Sequence, residues 1–221
     1  MNFLPKISLI IFDLDDTLIK SNINYNLMKD QLKSLFTESF DPNTYISVNN
    51  LLELLAEKHP EKVDLGYELI QNLESSAILS AEIIPFADLI PNLLYELNIT
   101  NSAILTNNSA TSVNNYLSNP KFSFLTLFGP IFTRDTVKKM KPHPDGLLEI
   151  IKKFDLLEKR KEVLYIGDSI IDSEAARNAG IRFVFFNSRG INLDSIKPWK
   201  TITGLSELRS LLQNELLDCI I

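Results

Sequence analysis

The stretch IIFDLDDTL, residues 10–18, sets an apolar run against three carboxylates. Residues 7–12 are mostly apolar and continuous, as in a strand buried on both faces, and they run straight into Asp13, Asp15 and Asp16. Side chains two apart on a strand point the same way, about 6.5 Å apart along an extended chain, so Asp13 and Asp15 can face one cleft with Leu14 turned away. Acids after a strand also suit a solvated turn or a helix start.

A second stretch shifts that balance. In VLYIGDSIID, residues 163–172, an apolar run again ends in a tight glycine and acids: Gly167, Asp168, Ser169 and Asp172. Two parallel strands would bring Asp168 to the sheet edge that carries Asp13. Carboxylates crowded in a partly desolvated cleft repel more strongly as the effective dielectric falls, so such a cluster needs a cation or protonation of one member. The candidate donors are oxygens, without a Cys or His cluster, which favours a hard ion such as Mg²⁺ over zinc. Asp168 and Asp172 can equally cap and decorate the following helix, and the two uses are compatible.

Further apolar runs at residues 103–105 and 183–186 read as buried strands. Between the strands lie helical patterns. Leu89, Leu93, Leu94 and Leu97 share one face, with Pro91 tolerable in a first turn; Leu147, Leu148 and Ile151 repeat after Pro144. The alternation predicts an α/β fold, a parallel sheet flanked by helices, with ligands outside the carboxyl ends of its strands. Residues 19–82 break the alternation, with no convincing strand and three helical patterns. Met28, Leu32, Leu35 and Phe36 define the first; Val48, Leu51, Leu52 and Leu55 the second, after Asp41-Pro42-Asn43; Leu69, Ile70, Leu73 and Ala77 the third, after His59-Pro60. A crossover needs only about a dozen residues, so the reading is an α/β core formed by residues 1–18 and 83–221, with a small all-helical insert at 19–82.

Length and composition bound the function. The 221 residues, 45% hydrophobic, suffice for one large domain or a domain plus a smaller insert. Net charge is −6, and basic residues are scattered apart from KKMK at 138–141, which argues against nucleic-acid binding. The lone Cys219 forms no internal disulfide and fits a reducing compartment. The N-terminal run is interrupted by acids and lacks a small-residue cleavage site, so no secretory signal is expected. No apolar run approaches the ~18 residues of a membrane span. The expectation is a cytoplasmic protein with no membrane association and no obligatory protein partner.

Two more strand-end features complete a charge scheme. The run at 103–105 leads to Thr106, Asn107 and Asn108, whose hydroxyl and amides suit either an anionic oxygen or helix capping. Lys141 precedes Pro142, which favours an extended backbone there; it suits either the surface or a site. Carboxylates, a divalent cation, a hydroxyl and a lysine together make a site for a dianion such as phosphate.

In order and wording these residues resemble the haloacid dehalogenase superfamily of hydrolases, over nearly the whole chain outside the insert. Asp13, Asp15 and Thr17 match its DxDxT motif, Thr106 its second motif, Lys141 its third, and Gly167, Asp168 and Asp172 its GDxxxD motif; AARNAGI after the last is also similar. The resemblance, closest to the phosphoglycolate phosphatase branch, implies a Rossmann-like core with a helical cap after the first strand. It implies a Mg²⁺-dependent phosphatase that hydrolyses a small phosphate monoester through an aspartyl-phosphate intermediate. Asp13 would be the nucleophile and Asp15 the general acid and base. The carboxylates of Asp13 and Asp168 and the backbone carbonyl of Asp15 would hold Mg²⁺. Thr106 and the Asn107 amide would hold phosphoryl oxygens, and Lys141 would offset charge. Asp172 would position Lys141 or a metal-bound water, and Thr17 would fix the turn.

Dehalogenase branches lack an aspartate at the Asp15 position, so that residue favours phosphoryl transfer. The cap position implies a small phosphorylated metabolite, such as a sugar phosphate, phosphoglycolate or a nucleotide. Asn22, Asn24 and Tyr25 are candidate cap-side contacts, or else an exposed polar linker. His143 is read as a surface residue. The alternatives are a phosphomutase of the β-phosphoglucomutase kind, which shares the core residues, and a non-catalytic phospho-ligand-binding protein on the same fold. A receiver-type signalling domain would carry its phosphorylated aspartate after the third strand and lack the insert. No GxxxxGK[ST] or GxGxxG motif supports a P-loop NTPase or a dinucleotide enzyme.

Overall fold

The computed structural model describes residues 7–41, 46–191 and 196–217. Eight strands are present among them: β1 (Leu9–Phe12), β2 (Ile19–Lys20), β3 (Glu82–Ile83), β4 (Ser102–Leu105), β5 (Ile131–Phe132), β6 (Val163–Gly167), β7 (Arg182–Phe186) and β8 (Lys200–Ile202). The helices are α1 (Tyr25–Lys33), α2 (Val48–Lys58), α3 (Val63–Ala77), α4 (Ile90–Glu96), α5 (Ala110–Leu117), α6 (Asp145–Lys153), α7 (Ile170–Ala179) and α8 (Leu208–Leu217). None of the described helices is long and apolar enough to cross a membrane. The chain divides into two compact units, 1–20 with 82–221, and 21–81.

The larger unit is an α/β fold. Six strands form a sheet in the order β5-β4-β1-β6-β7-β8, every pairing parallel. The four predicted strands are its centre, and their buried residues are apolar on both faces because helices and turns cover both. On one face Leu9, Ile11, Ala103, Leu105, Val163, Tyr165, Phe183 and Phe185 pack with Leu147, Ile150 and Ile151 of α6 and Ala175, Ala176 and Ala179 of α7. The alternate residues turn the other way, where Phe12 meets Phe128 edge-on, ring centres 5.1 Å apart.

Register is what positions the site. Phe12 lies opposite both Ile104 and Ile166, so the three strands end within one residue of one another. The chain leaves β1 with the Asp13 amide donating to the Ile166 carbonyl at 2.8 Å. The next residues of β4 and β6 therefore deliver Thr106 and Asp168 to the same edge.

Several expectations need correction. The boundaries of the segment read as strandless hold a short antiparallel ribbon, Ile19 opposite Ile83 and Lys20 opposite Glu82. A two-residue strand has no periodicity to read, and its partner lies some sixty residues away. The ribbon's residues belong with the larger unit, so the units divide at Lys20/Ser21 and Ala81/Glu82. The sheet edges β5 and β8 escaped notice for the same reason: they are two and three residues long and half-exposed. Helix α4 starts at Ile90, with Pro91 in its first turn, and buries Ile90, Leu93 and Leu94, while Leu89 lies outside it and exposed.

In the helical unit α1, α2 and α3 follow the three predicted patterns, although Leu35 and Phe36 fall beyond the end of α1. Leu32, Leu51, Leu52 and Leu55 are buried. A Cβ at Gly66 would lie 2.8 Å from the Leu55 Cδ2, so the glycine lets α3 approach α2 closely. Asn24 and Ser47 cap α1 and α2, their side chains accepting from the Leu27 and Asn50 amides. Pro42 and Asn43 of the predicted breaker, and Cys219, lie outside the described residues.

Gly129 tests the sheet edge. Its φ is +79°, and a Cβ there would sit 2.6 Å from the Ser102 carbonyl oxygen at the start of β4. Gly129→Ala is expected to lower stability by about 1–3 kcal/mol. Urea unfolding should show this as a lower midpoint at unchanged slope; an unaltered midpoint would refute the close approach.

Candidate active site

The site begins in the turn after β1. The Leu18 and Ile19 amides both donate to the Leu14 carbonyl, at 2.9 and 3.0 Å, and Asp16 takes a left-handed φ of 55°. Aspartate tolerates that region better than most residues. Leu14 is buried, and Asp13 and Asp15 are buried as well. Thr17 is buried, but its hydroxyl has no hydrogen-bond partner among the described residues, so the backbone bonds hold this turn.

Lys141 is the hub. Only 5% exposed, it reaches the Asp13 Oδ1 at 2.5 Å and the Asp172 Oδ1 at 2.8 Å. Its Nζ also donates to the Tyr165 hydroxyl at 3.0 Å and the Leu105 carbonyl at 3.2 Å. Asn107 secures the lysine's backbone, its Nδ2 donating to the Lys141 carbonyl at 2.9 Å and its Oδ1 accepting from the Lys141 amide at 3.0 Å. The Lys141–Pro142 peptide is cis.

Asp172 is held from every side. Besides Lys141 it accepts from the Tyr165 hydroxyl at 2.6 Å and from the Ser169 hydroxyl at 2.5 Å. Ser169 caps α7 in a reciprocal box with Asp172, so one carboxylate both caps the helix and contacts Lys141. Gly167 makes room: a Cβ there would lie 2.6 Å from the Asp172 Cγ.

Asp168 follows Gly167, is buried, and pairs with Arg189, whose guanidinium also meets the Asp16 Oδ2 at 3.2 Å. At the end of β4 the Thr106 hydroxyl donates to the Asp15 Oδ2 at 3.4 Å and accepts from the Asn108 amide at 3.0 Å. The structure thus gathers Asp13, Asp15, Thr106, Asn107, Lys141, Asp168 and Asp172 at one sheet edge.

The electrostatics follow from burial. Oxygens of Asp13, Asp168 and Asp172 lie within 4.8 Å of one another. Desolvation, then the Asp172 charge, pushes the Asp13 carboxyl well above its usual range despite Lys141. Desolvation and Asp172 likewise push Asp168 up to about 8, against the pull of Arg189. Burial works on Asp172 in the same sense, but Lys141 and its hydrogen bonds outweigh it and hold that carboxyl below the usual value. Burial opposes the Lys141 charge, yet Asp13 and Asp172 hold the ammonium above its ordinary range. The buried Lys141 ammonium and the half-exposed Arg189 guanidinium together undercompensate the three carboxylates. An all-oxygen set with this surplus of negative charge suits a hard divalent cation.

The remaining candidates are local. In the helical unit the Asn22 side-chain Nδ2 donates to the Ser80 carbonyl at 2.7 Å, Asn24 caps α1, and Tyr25 is exposed in the first turn of α1. His143 is partly exposed and pairs with Asp145 at 3.0 Å. Two residues escaped the sequence reading. Tyr165 sits inside an apolar run, where its only signal is a hydroxyl that a buried strand must satisfy. Arg189 lies on a loop after β7, and no spacing links it to Asp168.

Comparison with known proteins agrees with this architecture. The family described as haloacid dehalogenase-like hydrolase matches residues 10–186. A phosphoglycolate phosphatase of Nitrosococcus oceani is 30% identical over 95 residues, 42% of this chain and 41% of that protein, so the match spans well under half of the relative. Among solved structures, a hydrolase from Pseudomonas syringae superposes with a TM-score of 0.73 at 23% identity, covering 95% of this chain and 99% of that one. A Bacillus subtilis protein assigned as a HAD-hydrolase and solved bound to magnesium gives 0.65 at 18% identity, covering 95% and 100%. At such identities the structures speak for the fold alone, whereas the family match extends over most of the sequence. The chain belongs to the haloacid dehalogenase-like hydrolases.

Proposed function

We propose that this protein is a Mg²⁺-dependent phosphatase acting on a small phosphate monoester. The observation that carries the reading is the convergence of Asp13, Asp168 and Asp172 within 4.8 Å, with Lys141 buried against two of them. The partial match to a phosphoglycolate phosphatase and the magnesium-bound relative support it.

Asp13 attacks phosphorus, forming an Oδ–P bond as the ester P–O bond breaks. Asp15 gives its proton to the departing oxygen, then takes one from the water that cleaves the aspartyl-phosphate and frees inorganic phosphate. The Thr106 hydroxyl and the Asn107 backbone amide hold phosphoryl oxygens, the Asn107 side chain meanwhile fixing Lys141. Lys141 balances charge on Asp13 and the phosphoryl group, and Asp172 keeps it in place. Such positioning and charge stabilisation are most of what phosphoryl transfer requires. The Asp13 and Asp168 carboxylates with the Asp15 carbonyl would hold Mg²⁺, which supplies positive charge against the phosphoryl oxygens. We assign substrate choice to the helical segment 21–81, because it is inserted between the first and second motifs.

The test is release of inorganic phosphate from p-nitrophenyl phosphate and a panel of metabolite phosphates. Turnover should require Mg²⁺ and stop with EDTA; a protein silent across the panel would overturn the reading. Asp13→Asn should lower turnover on the order of 10⁴-fold or more with the circular dichroism spectrum unchanged. Asp15→Asn should cost about 10²–10⁴-fold on an alkyl phosphate but less on p-nitrophenyl phosphate, whose leaving group hardly needs a proton. Equal losses on both substrates would remove the acid role.

A further inference from the structure

Arg189 has no part in the reaction above, yet it touches the site. It stands on a turn after β7 that is well defined: the Asn187 side chain accepts from the Ile191 amide at 2.7 Å and donates to the Ile191 carbonyl at 3.1 Å, and the Asn187 amide donates to the Ile202 carbonyl at 2.8 Å. From there the guanidinium bridges Asp168 and Asp16, in contact with the Oδ2 of each. Asp168 is buried, whereas half of the Arg189 side chain is open to water.

We infer that Arg189 is an electrostatic latch on Asp168, which a divalent cation must displace before it can bind. The inference rests on the metal reading above. A guanidinium is always charged and matches a carboxylate well. An Oδ2 occupied by Arg189 is closed to an ion, and the guanidinium repels any cation brought beside it. Without the ion, the latch satisfies a buried carboxylate that would otherwise face Asp13 and Asp172 uncompensated. Half of the Arg189 side chain already stands in water, so the guanidinium can regain its hydration as it lets go of the buried Asp168. On opening, the Asp168 oxygen passes from the guanidinium to the cation, and the contact with Asp16 keeps Arg189 at the rim. Arg189 is thus a positioning residue that acts through Asp168 and sets how readily the site accepts metal.

The test is calorimetric titration of Mg²⁺ into the full chain, with the Mg²⁺-induced rise in Tm as a second readout. Arg189→Gln should bind Mg²⁺ roughly three- to tenfold more tightly than the unaltered protein, and Arg189→Lys should fall between them. Arg177→Gln removes the same charge from a highly exposed position on α7 and should leave the affinity unchanged; Asp168→Asn should abolish binding. Mg²⁺ binding that is unchanged or weaker in Arg189→Gln would overturn the latch while leaving the metal reading intact. Equal tightening in Arg177→Gln would also overturn it, by tracing the effect to net charge. Absence of Mg²⁺ binding to both the unaltered protein and Arg189→Gln would overturn the metal reading itself, and the latch with it.

Discussion

The contact on which the site depends is the buried ammonium of Lys141 between Asp13 and Asp172. Removing a lysine from water costs several kcal/mol unless partners replace its hydration. Here two carboxylates, a phenol and a backbone carbonyl do so. The arrangement binds three separate pieces of chain, the end of β1, the first turn of α7 and the loop before α6, into one electrostatic unit. It also biases the acids differently: Asp172 is held ionised, whereas Asp13 is short of positive charge. A site in that condition is complementary to a cation and, through it, to a dianion.

Backbone register does the rest of the assembly. Parallel strands that end within a residue of one another bring their following residues to one edge without long-range steering. Because Phe12 pairs with both Ile104 and Ile166, a one-residue slip of β4 or β6 would turn its strand residues to the opposite face and misplace Thr106 or Asp168. Small features protect this geometry. Gly167 leaves space for Asp172, and Ser169 ties the start of α7 to that same carboxylate. Capping and charge positioning are here a single hydrogen-bond network.

Arg189 shows how a residue outside every motif enters such a site. A surplus of buried negative charge attracts whatever cation the chain can present, and the loop after β7 presents one. Its half-exposed position makes that compensation reversible, unlike the fully enclosed contacts of Lys141.

Much of this was legible in the amino-acid sequence. Continuous apolar runs announced the four central strands, because a strand buried on both faces has no polar alternation to obscure it. Asp13, Asp15, Thr106 and Asp168 were legible as candidates because each stands just past such a run, where local chain direction takes it to the sheet edge; Asp172, in the first turn of α7, was legible through its place in the GDxxxD motif. The ribbon of β2 and β3 and the edge strands β5 and β8 were not, since segments of two or three residues are specified by their partners and not by their own pattern. Lys141 was legible as a candidate, but its burial was not: a lysine before a proline fits the surface equally well. Tyr165 on Asp172, the Asn107 side chain on the Lys141 backbone, and Arg189 on Asp168 belong to the tertiary structure alone. Each joins residues distant in the chain or hidden within an apolar run, and only the folded register brings their atoms within reach.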